Sequence, residues 1–326
     1  MKTLFLKPKQ LSKAAKIIQR GGIVVFPTET VYGLGANAFD ATAVKKIFVA
    51  KGRPADNPLI VHIAEKKMLP TLVEEVPVAA KKLIKLFWPG PLTLIFNKKK
   101  IIPDIVTAGG KTVAVRMPSH PVAHKLIKLS KLPIAAPSAN LSGKPSPTTV
   151  KHVLEDMNRR VDAIIDGGDC AVGLESTVLD LTGKTPLLLR PGAITLEQLR
   201  TVLGKVIVAN PNAVKPKSPG MKYRHYSPQT NLILVTGTVV PKLNDLINEK
   251  KKIALICSKE ISQQFSDKKI EIIIYHDLDT LAQKIFQILR NLDQQHFDLI
   301  LIPAVPEKGI GRAIMNRLRK AAHQIV

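Results

Sequence analysis

The sequence predicts a two-domain α/β protein, in which a twisted mixed sheet is followed by a small domain with a parallel sheet. The chain has 326 residues, about the length of two average domains. In residues 1–209 short apolar strands are interspersed with helices, whereas from residue 232 strands and helices alternate, as in a parallel sheet. We therefore predict a first domain over 1–209, a linker over 210–230 and a second domain over 231–326.

Apolar periodicity and chain breakers define the elements of the first domain. A helical face over 11–18 ends at two glycines, and Asp40 is placed to cap the next helix. Another helix is expected over 78–87, and Thr195 and Gln198 form a capping box for a last one. The predicted strands are 23–26, 59–63, 92–96, 112–116, 134–136, 161–165, 178–181 and 187–190.

The second domain has the strand and helix alternation of a Rossmann-like fold. Apolar positions with helical spacing from Leu278 to Leu289 mark its clearest helix. No Gly-x-Gly-x-x-Gly pattern follows the first strand, so the motif of a dinucleotide site is not present there. The predicted strands are 232–235, 253–257, 270–275 and 299–302.

Composition limits the class of ligand and the cellular compartment. The chain has 49 basic and 25 acidic residues, a net charge of +24, which attracts nucleotides, pyrophosphate and RNA, although a solvated basic surface explains it equally well. Two cysteines make no disulfide framework and no metal cluster, so we predict no metal site in the protein and a cytoplasmic location. No apolar run approaches the ~20 residues of a membrane helix, so no membrane association is expected.

A stiff polar loop follows the strand at 134–136 and is the most informative segment of the chain. Prolines restrict its backbone, while Ser138, Asn140 and Ser146 supply small polar side chains. Such a loop at a strand end suits a multiply charged ligand that needs many short hydrogen bonds. An ordinary Ser/Pro turn is the alternative.

Three cations and one histidine lie near predicted strand and helix ends. Lys51 and Arg53 follow the helix that Asp40 caps, where they bind an anion or merely complement the helix dipole. Arg116 ends a strand and suits a carboxylate or phosphate, with a surface salt bridge as the alternative. His62 lies in an apolar strand, where a core histidine is the simpler interpretation.

Other nucleotide and hydrolase motifs are excluded by their spacing. The two Gly-Lys-Thr triplets, at 110–112 and 183–185, have Ile105 and Val178 where a P-loop requires its first glycine. No Gly-x-Ser-x-Gly elbow occurs.

Two ordered motifs resemble the signature of the YrdC-like family, which makes threonylcarbamoyl-AMP. The first is Phe26-Pro-Thr-Glu-Thr-Val-Tyr-Gly-Leu-Gly35, followed by Lys51-Gly-Arg-Pro54, Asn57-Pro-Leu59 and His62. The second is the loop Pro137-Ser-Ala-Asn-Leu-Ser-Gly-Lys-Pro-Ser-Pro-Thr148. The resemblance covers roughly residues 10 to 205, and the remainder is similar to the extra domain of the family's long form.

The resemblance implies a reaction and a role for each matching residue. L-Threonine, bicarbonate (or CO₂) and ATP would give threonylcarbamoyl-AMP and pyrophosphate, an intermediate for modifying tRNA next to the anticodon. Lys51 and Arg53 would be the catalytic cations, and Ser138, Asn140 and Ser146 would donate hydrogen bonds to the nucleotide. The implied ATP-binding residues are Lys51, Arg53, Asn57, Thr112, Ser138, Asn140, Ser146, Arg190, His225 and Tyr226. The implied threonine-binding residues are Thr30, His62, Arg116, Ala136 and Ser176.

The resemblance also implies partners and a role for the linker. Mg²⁺ would accompany ATP, a downstream tRNA threonylcarbamoyl transferase complex would use the product, and the basic surface would bind tRNA weakly. The linker would fold over the active site, with residues 218–228 at its mouth. An RNA-binding module without synthase activity is the main alternative. A carbamoyltransferase of hydrogenase maturation is a third, although such proteins carry zinc-finger modules and this chain has only two cysteines.

Overall fold

The computed structural model describes residues 2–210, 225–247, 252–265 and 270–326. These form two compact units, the first within 2–142 and 146–210 and the second within 143–145 and 225–326. Most of the predicted linker, residues 211–224, lies outside the described residues, so the expectation that it covers the active site stays a prediction.

The first unit is built on a mixed sheet of eleven strands among its described residues. The strands are β1 (Leu4–Leu6), β2 (Val24–Phe26), β3 (Gly33–Asn37), β4 (Ile60–His62), β5 (Leu92–Asn97), β6 (Thr112–Arg116), β7 (Ile134–Ala136), β8 (Ala163–Ile165), β9 (Thr177–Asp180), β10 (Leu187–Arg190) and β11 (Ile207–Val208). The helices are α1 (Leu11–Gln19), α2 (Ala41–Lys51), α3 (Leu69–Leu72), α4 (Val78–Phe87), α5 (Asp104–Thr107), α6 (Pro121–Ser130), α7 (Val150–Met157) and α8 (Leu196–Leu203). The strand order is β1-β8-β2-β3-β7-β4-β6-β5-β9-β10-β11.

Alternating apolar side chains bury both faces of this sheet. On β2, Val24 and Phe26 belong to one cluster with residues of α1 and α6, whereas Val25 belongs to another with residues of α2 and α4. Because neighbouring side chains of a strand point to opposite faces, three consecutive apolar residues supply both cores. Helices therefore cover the sheet on both sides.

Strands β4, β6 and β7 place the candidate site at the middle of the sheet. β4 is parallel to β6, so that His62 lies opposite Arg116, and antiparallel to β7, so that Ile60 lies opposite Ala136. The polar loop begins where β7 ends. The strand order thus brings residues far apart in sequence to the ends of three adjacent central strands.

The second unit is a parallel sheet of five strands with four helices among its described residues. The strands are β12 (Asn231–Val235), β13 (Ile253–Ser258), β14 (Glu271–Tyr275), β15 (Leu299–Pro303) and β16 (Gln324–Ile325). The helices are α9 (Val239–Ile247), α10 (Lys259–Ser262), α11 (Leu278–Gln294) and α12 (Gly311–Ala321). The order is β14-β13-β15-β12-β16 and every pair is parallel. The mixed sheet and the parallel sheet confirm the predicted fold class.

Within the described ranges, no helix has the length and apolar character needed to cross a bilayer.

Candidate active site

Lys51 holds the polar loop from the end of α2. The helix ends there because Gly52 adopts a left-handed conformation, with φ of 60°, which a glycine accepts without strain. The Lys51 ammonium donates hydrogen bonds to the carbonyl oxygens of Ser138 and Asn140, both at 2.6 Å, and its own carbonyl accepts one from the amide of Ser142. Lys51 is buried, so these charge-assisted hydrogen bonds form with little competition from water.

The upstream motif lies directly against the same loop. The amide of Leu34 donates to the carbonyl of Pro137 at 3.0 Å, and the amide of Tyr32 donates to that of Pro147 at 2.9 Å. Gly35 is needed for this approach, because a Cβ there would lie 2.6 Å from Ile134 Cγ2 and 2.7 Å from Phe26 Cε1. The fold therefore joins the two sequence motifs into one structure.

Arg53 and Asn57 form a second polar group beside α2. Arg53 Nη2 donates to the carbonyl of Asn57 at 2.5 Å, and its guanidinium lies 5.5 Å from the ring centre of Phe48. The Asn57 side chain is fully buried, and within the described ranges neither of its amide atoms has a hydrogen-bond partner. A buried amide without partners is costly, so a site that a ligand completes is the natural explanation.

Arg116 is the centre of another buried polar cluster, at the end of β6. Its Nη1 donates to Thr30 Oγ1 at 2.9 Å and its Nε donates to the carbonyl of Gly90 at 3.2 Å. Its Nη2 forms an ion pair with Glu29 Oε1 at 2.7 Å. His62 is adjacent on β4, and burial, together with the charge of Arg116, lowers the pKa of His62 to about 3, so its imidazole is neutral near pH 7.

Ser176 links this cluster to Arg190. Arg190 Nη2 donates to Ser176 Oγ at 3.1 Å, and its Nε donates to the Ser176 carbonyl at 3.0 Å. The Ser176 hydroxyl also shares a 2.8 Å hydrogen bond with Thr93, which lies opposite Arg116 in the sheet. Thr93 was not singled out from the sequence, since nothing in its local pattern shows that it faces Ser176.

Two serine hydroxyls of the loop donate hydrogen bonds within the protein. Ser146 donates to Glu175 Oε1 at 2.5 Å, and Ser138 donates to Asn140 Oδ1 at 2.5 Å. In this state both hydroxyls present lone pairs rather than protons to a ligand, which differs from the donor role expected for them. Glu175 is buried next to Ser176 and was not singled out from the sequence, since no local pattern shows that it faces Ser146.

The remaining predicted residues lie in two places. Ala136 is buried in β7, and Thr112 begins β6 on the face that also carries Arg116. His225 and Tyr226 belong to the second unit. There the Tyr226 ring is buried and stacked on Phe286, with ring centres 5.3 Å apart, and the nucleotide-binding role expected of both residues stays a prediction.

In the part of the chain that the structure describes, no group of three or more His, Cys, Asp or Glu side chains could hold a metal ion.

Comparisons with known proteins cover nearly the whole chain. A family model described as "Telomere recombination" matches residues 16–192, and one described as "Threonylcarbamoyl-AMP synthase, C-terminal domain" matches residues 194–323. A threonylcarbamoyl-AMP synthase of Pyrococcus abyssi is 50% identical, covering 95% of this chain and 93% of the relative. A threonylcarbamoyl-AMP synthase of Bacillus subtilis is 47% identical, covering 96% of this chain and 93% of the relative.

A solved structure agrees with the sequence comparisons. The crystal structure of P. abyssi Sua5 complexed with L-threonine has a TM-score of 0.92 and 46% identity, covering 100% of this chain and 99% of that one. Because both domain models and nearly full-length relatives match, the chain belongs to the threonylcarbamoyl-AMP synthase family, in its two-domain form.

Proposed function

We propose that this protein is an L-threonylcarbamoyladenylate synthase, a nucleotidyltransferase that joins L-threonine, bicarbonate or CO₂, and ATP. The amine of threonine adds to the carbon of CO₂ or bicarbonate and loses a proton, giving a carbamate. A carbamate oxygen then attacks the α-phosphorus of ATP, and pyrophosphate leaves. With bicarbonate as the carbon source, one water is released as well.

The observation that carries this proposal is that two groups of buried cations lie beside the two motifs: Lys51 with Arg53, and Arg116. Lys51 and Arg53 suit the nucleotide, since the reaction brings anions together and fixed positive charge lowers that barrier. Arg116, held by Thr30, suits the carboxylate of threonine. Neutral His62 lies opposite Arg116 on β4, and Ser176 is hydrogen-bonded to Thr93, the residue opposite Arg116 on β5. Holding both substrates in place supplies most of what the reaction needs.

The proposed ATP-binding site includes Asn57, whose buried side-chain amide has no hydrogen-bond partner among the described residues, and the loop from Ser138 to Ser146. Thr112 and Arg190 complete it, and the nucleotide-binding roles expected of His225 and Tyr226 belong to the same proposal. Mg²⁺ enters as the Mg·ATP substrate, since this ion usually binds nucleotide phosphates together with few protein groups.

The product is proposed to serve tRNA modification next to the anticodon. Threonylcarbamoyl-AMP is an activated acyl donor, so a transferase complex that acylates an adenosine of tRNA must consume it. Weak binding of tRNA to the basic surface, given a net charge of +24, and a cytoplasmic location belong to the same proposal.

Pyrophosphate release from ATP tests the proposal, measured with and without threonine and bicarbonate. We expect release only when all three substrates are present. An RNA-binding module would instead bind tRNA tightly and release no threonine-dependent pyrophosphate, and that result would overturn the assignment.

A further inference from the structure

In the proposed threonine pocket, a carboxylate of the protein lies where the carboxylate of the substrate must bind. Glu29 lies in the upstream motif, and its carboxylate is paired with Arg116, the proposed partner of the threonine carboxylate. Both side chains are buried, with 7% exposure for Glu29 and 3% for Arg116. A carboxylate in this position competes with the substrate unless it has a task of its own.

Glu29 is charged under the conditions of the reaction. Burial alone would raise the pKa of its carboxyl group, but the charge of Arg116 and hydrogen bonding outweigh burial and hold the pKa below its ordinary value of 4.5. The pair is therefore a buried ion pair of opposite charges near pH 7. Removing one member of such a pair leaves an uncompensated charge in the protein interior.

The contacts of Arg116 fix its guanidinium at three separate nitrogens. Gly90 accepts from Nε, Thr30 accepts from Nη1, and Glu29 pairs with Nη2. A guanidinium has more N–H donors than these contacts use, so donors remain for an incoming carboxylate in a fork arrangement. Of these three acceptors, Glu29 is the one that carries a full negative charge.

We propose that Glu29 is a positioning residue for threonine binding, acting through Arg116; this inference rests on the proposed function of Arg116. Glu29 holds Nη2 in place so that the remaining N–H groups face the substrate. It also offsets the charge of Arg116, so that the pair is neutral before the substrate carboxylate binds.

The first test measures binding of L-threonine to the full chain by calorimetry, with kcat and KM for threonine and ATP. In Glu29→Gln we expect the Kd for threonine to rise by roughly tenfold or more, because a buried charge partner is lost. The KM for ATP should stay within about twofold. The matched control is Glu65→Gln, the same change in a surface ion pair with Lys67, which should leave all of these constants unchanged.

A double-variant cycle separates positioning from simple stabilisation. Arg116→Met should itself weaken threonine binding, and adding Glu29→Gln to it should cause no further loss, since Glu29 would then have nothing to position. If Arg116→Met binds threonine normally, the proposed role of Arg116 is wrong. If Arg116→Met loses binding while folded Glu29→Gln keeps wild-type affinity, the role inferred for Glu29 is wrong.

Glu29→Asp covers the case in which Glu29→Gln does not fold. It keeps the charge but withdraws it from Arg116 by one methylene, so a folded protein with a raised threonine KM and an unchanged ATP KM is expected. Equal losses for threonine and ATP would mean that Glu29 only stabilises the unit.

Discussion

Replacing Lys51 by methionine tests whether its ammonium organises the polar loop as well as the chemistry. Methionine matches the apolar stem of the lysine side chain and removes the ammonium with its charge and donors. The change deletes both 2.6 Å hydrogen bonds, to the carbonyls of Ser138 and Asn140. The loop that carries the proposed nucleotide-binding groups then loses both side-chain contacts with the end of α2 and keeps the backbone hydrogen bond from Ser142 to residue 51.

The size of the effect follows from those two contacts. Each hydrogen bond from a charged donor contributes about 1.5–3 kcal/mol, so the gross loss is about 3–6 kcal/mol. Relief of the cost of burying the ammonium offsets part of it, and we expect a net loss of about 2–4 kcal/mol. Loss of a preorganised cation should also lower the rate by about 10²-fold or more.

Urea unfolding and threonine-dependent pyrophosphate release measure the two effects. With a slope of about 2 kcal/mol per molar urea, the midpoint of the first unit should fall by about 1–2 M. Lys46→Met is the matched control, because Lys46 lies exposed on the same helix and donates to a single carbonyl, that of Gly21, at 2.7 Å. An unchanged midpoint for Lys51→Met, with activity within a few-fold of wild type, would refute the reasoning.

Three further predictions concern pH, packing and substrate choice. The pKa of His62 is about 3 in the folded protein, compared with 6.5 for an ordinary histidine. As the pH drops below about 6.5, the unfolded chain therefore binds a proton at His62 that the folded protein does not bind, and the free energy of unfolding falls. Between pH 7 and pH 5 this loss of stability is about 2 kcal/mol, and urea titrations of His62→Gln should not show it. An equally steep pH dependence in the variant would show that His62 is not its cause. Gly192→Ala should unfold at lower urea than Gly183→Ala, because a Cβ at 192 would lie 2.7 Å from the carbonyl oxygen of Glu175, whereas at 183 its nearest neighbour is 3.8 Å away; equal midpoints would contradict it. The kcat/KM for threonine should exceed that for serine by a factor typical of one methyl group, which corresponds to about 1–3 kcal/mol. Equal values would show that no pocket recognises the methyl group.

Much of the fold was predictable because it depends on local signals. The Asp40 side chain accepts from two backbone amides at the start of α2, and Thr195 with Gln198 forms the capping box expected for α8. Both cysteines are free, as their number and separation indicated. Local capping and apolar periodicity act over a few residues, so the sequence alone displays them.

The polar contacts of the site depend instead on the order of strands in the sheet. The hydrogen bond from Arg116 to Thr30 joins residues 86 positions apart, and that from Ser176 to Thr93 joins residues 83 positions apart. No local pattern shows such pairs. Glu29 and Glu175 were missed for the same reason, since their roles are visible only once a buried partner lies beside each carboxylate.

The most direct test of the central claim is detection of the product itself from labelled bicarbonate. The purified full chain would be incubated with ATP, L-threonine and ¹³C-bicarbonate, and the nucleotides analysed by mass spectrometry. We predict threonylcarbamoyl-AMP carrying one ¹³C in its carbamoyl group, formed together with pyrophosphate and lost in Lys51→Met. Pyrophosphate without a labelled adenylate, or a labelled adenylate formed equally well by Lys51→Met, would contradict the account.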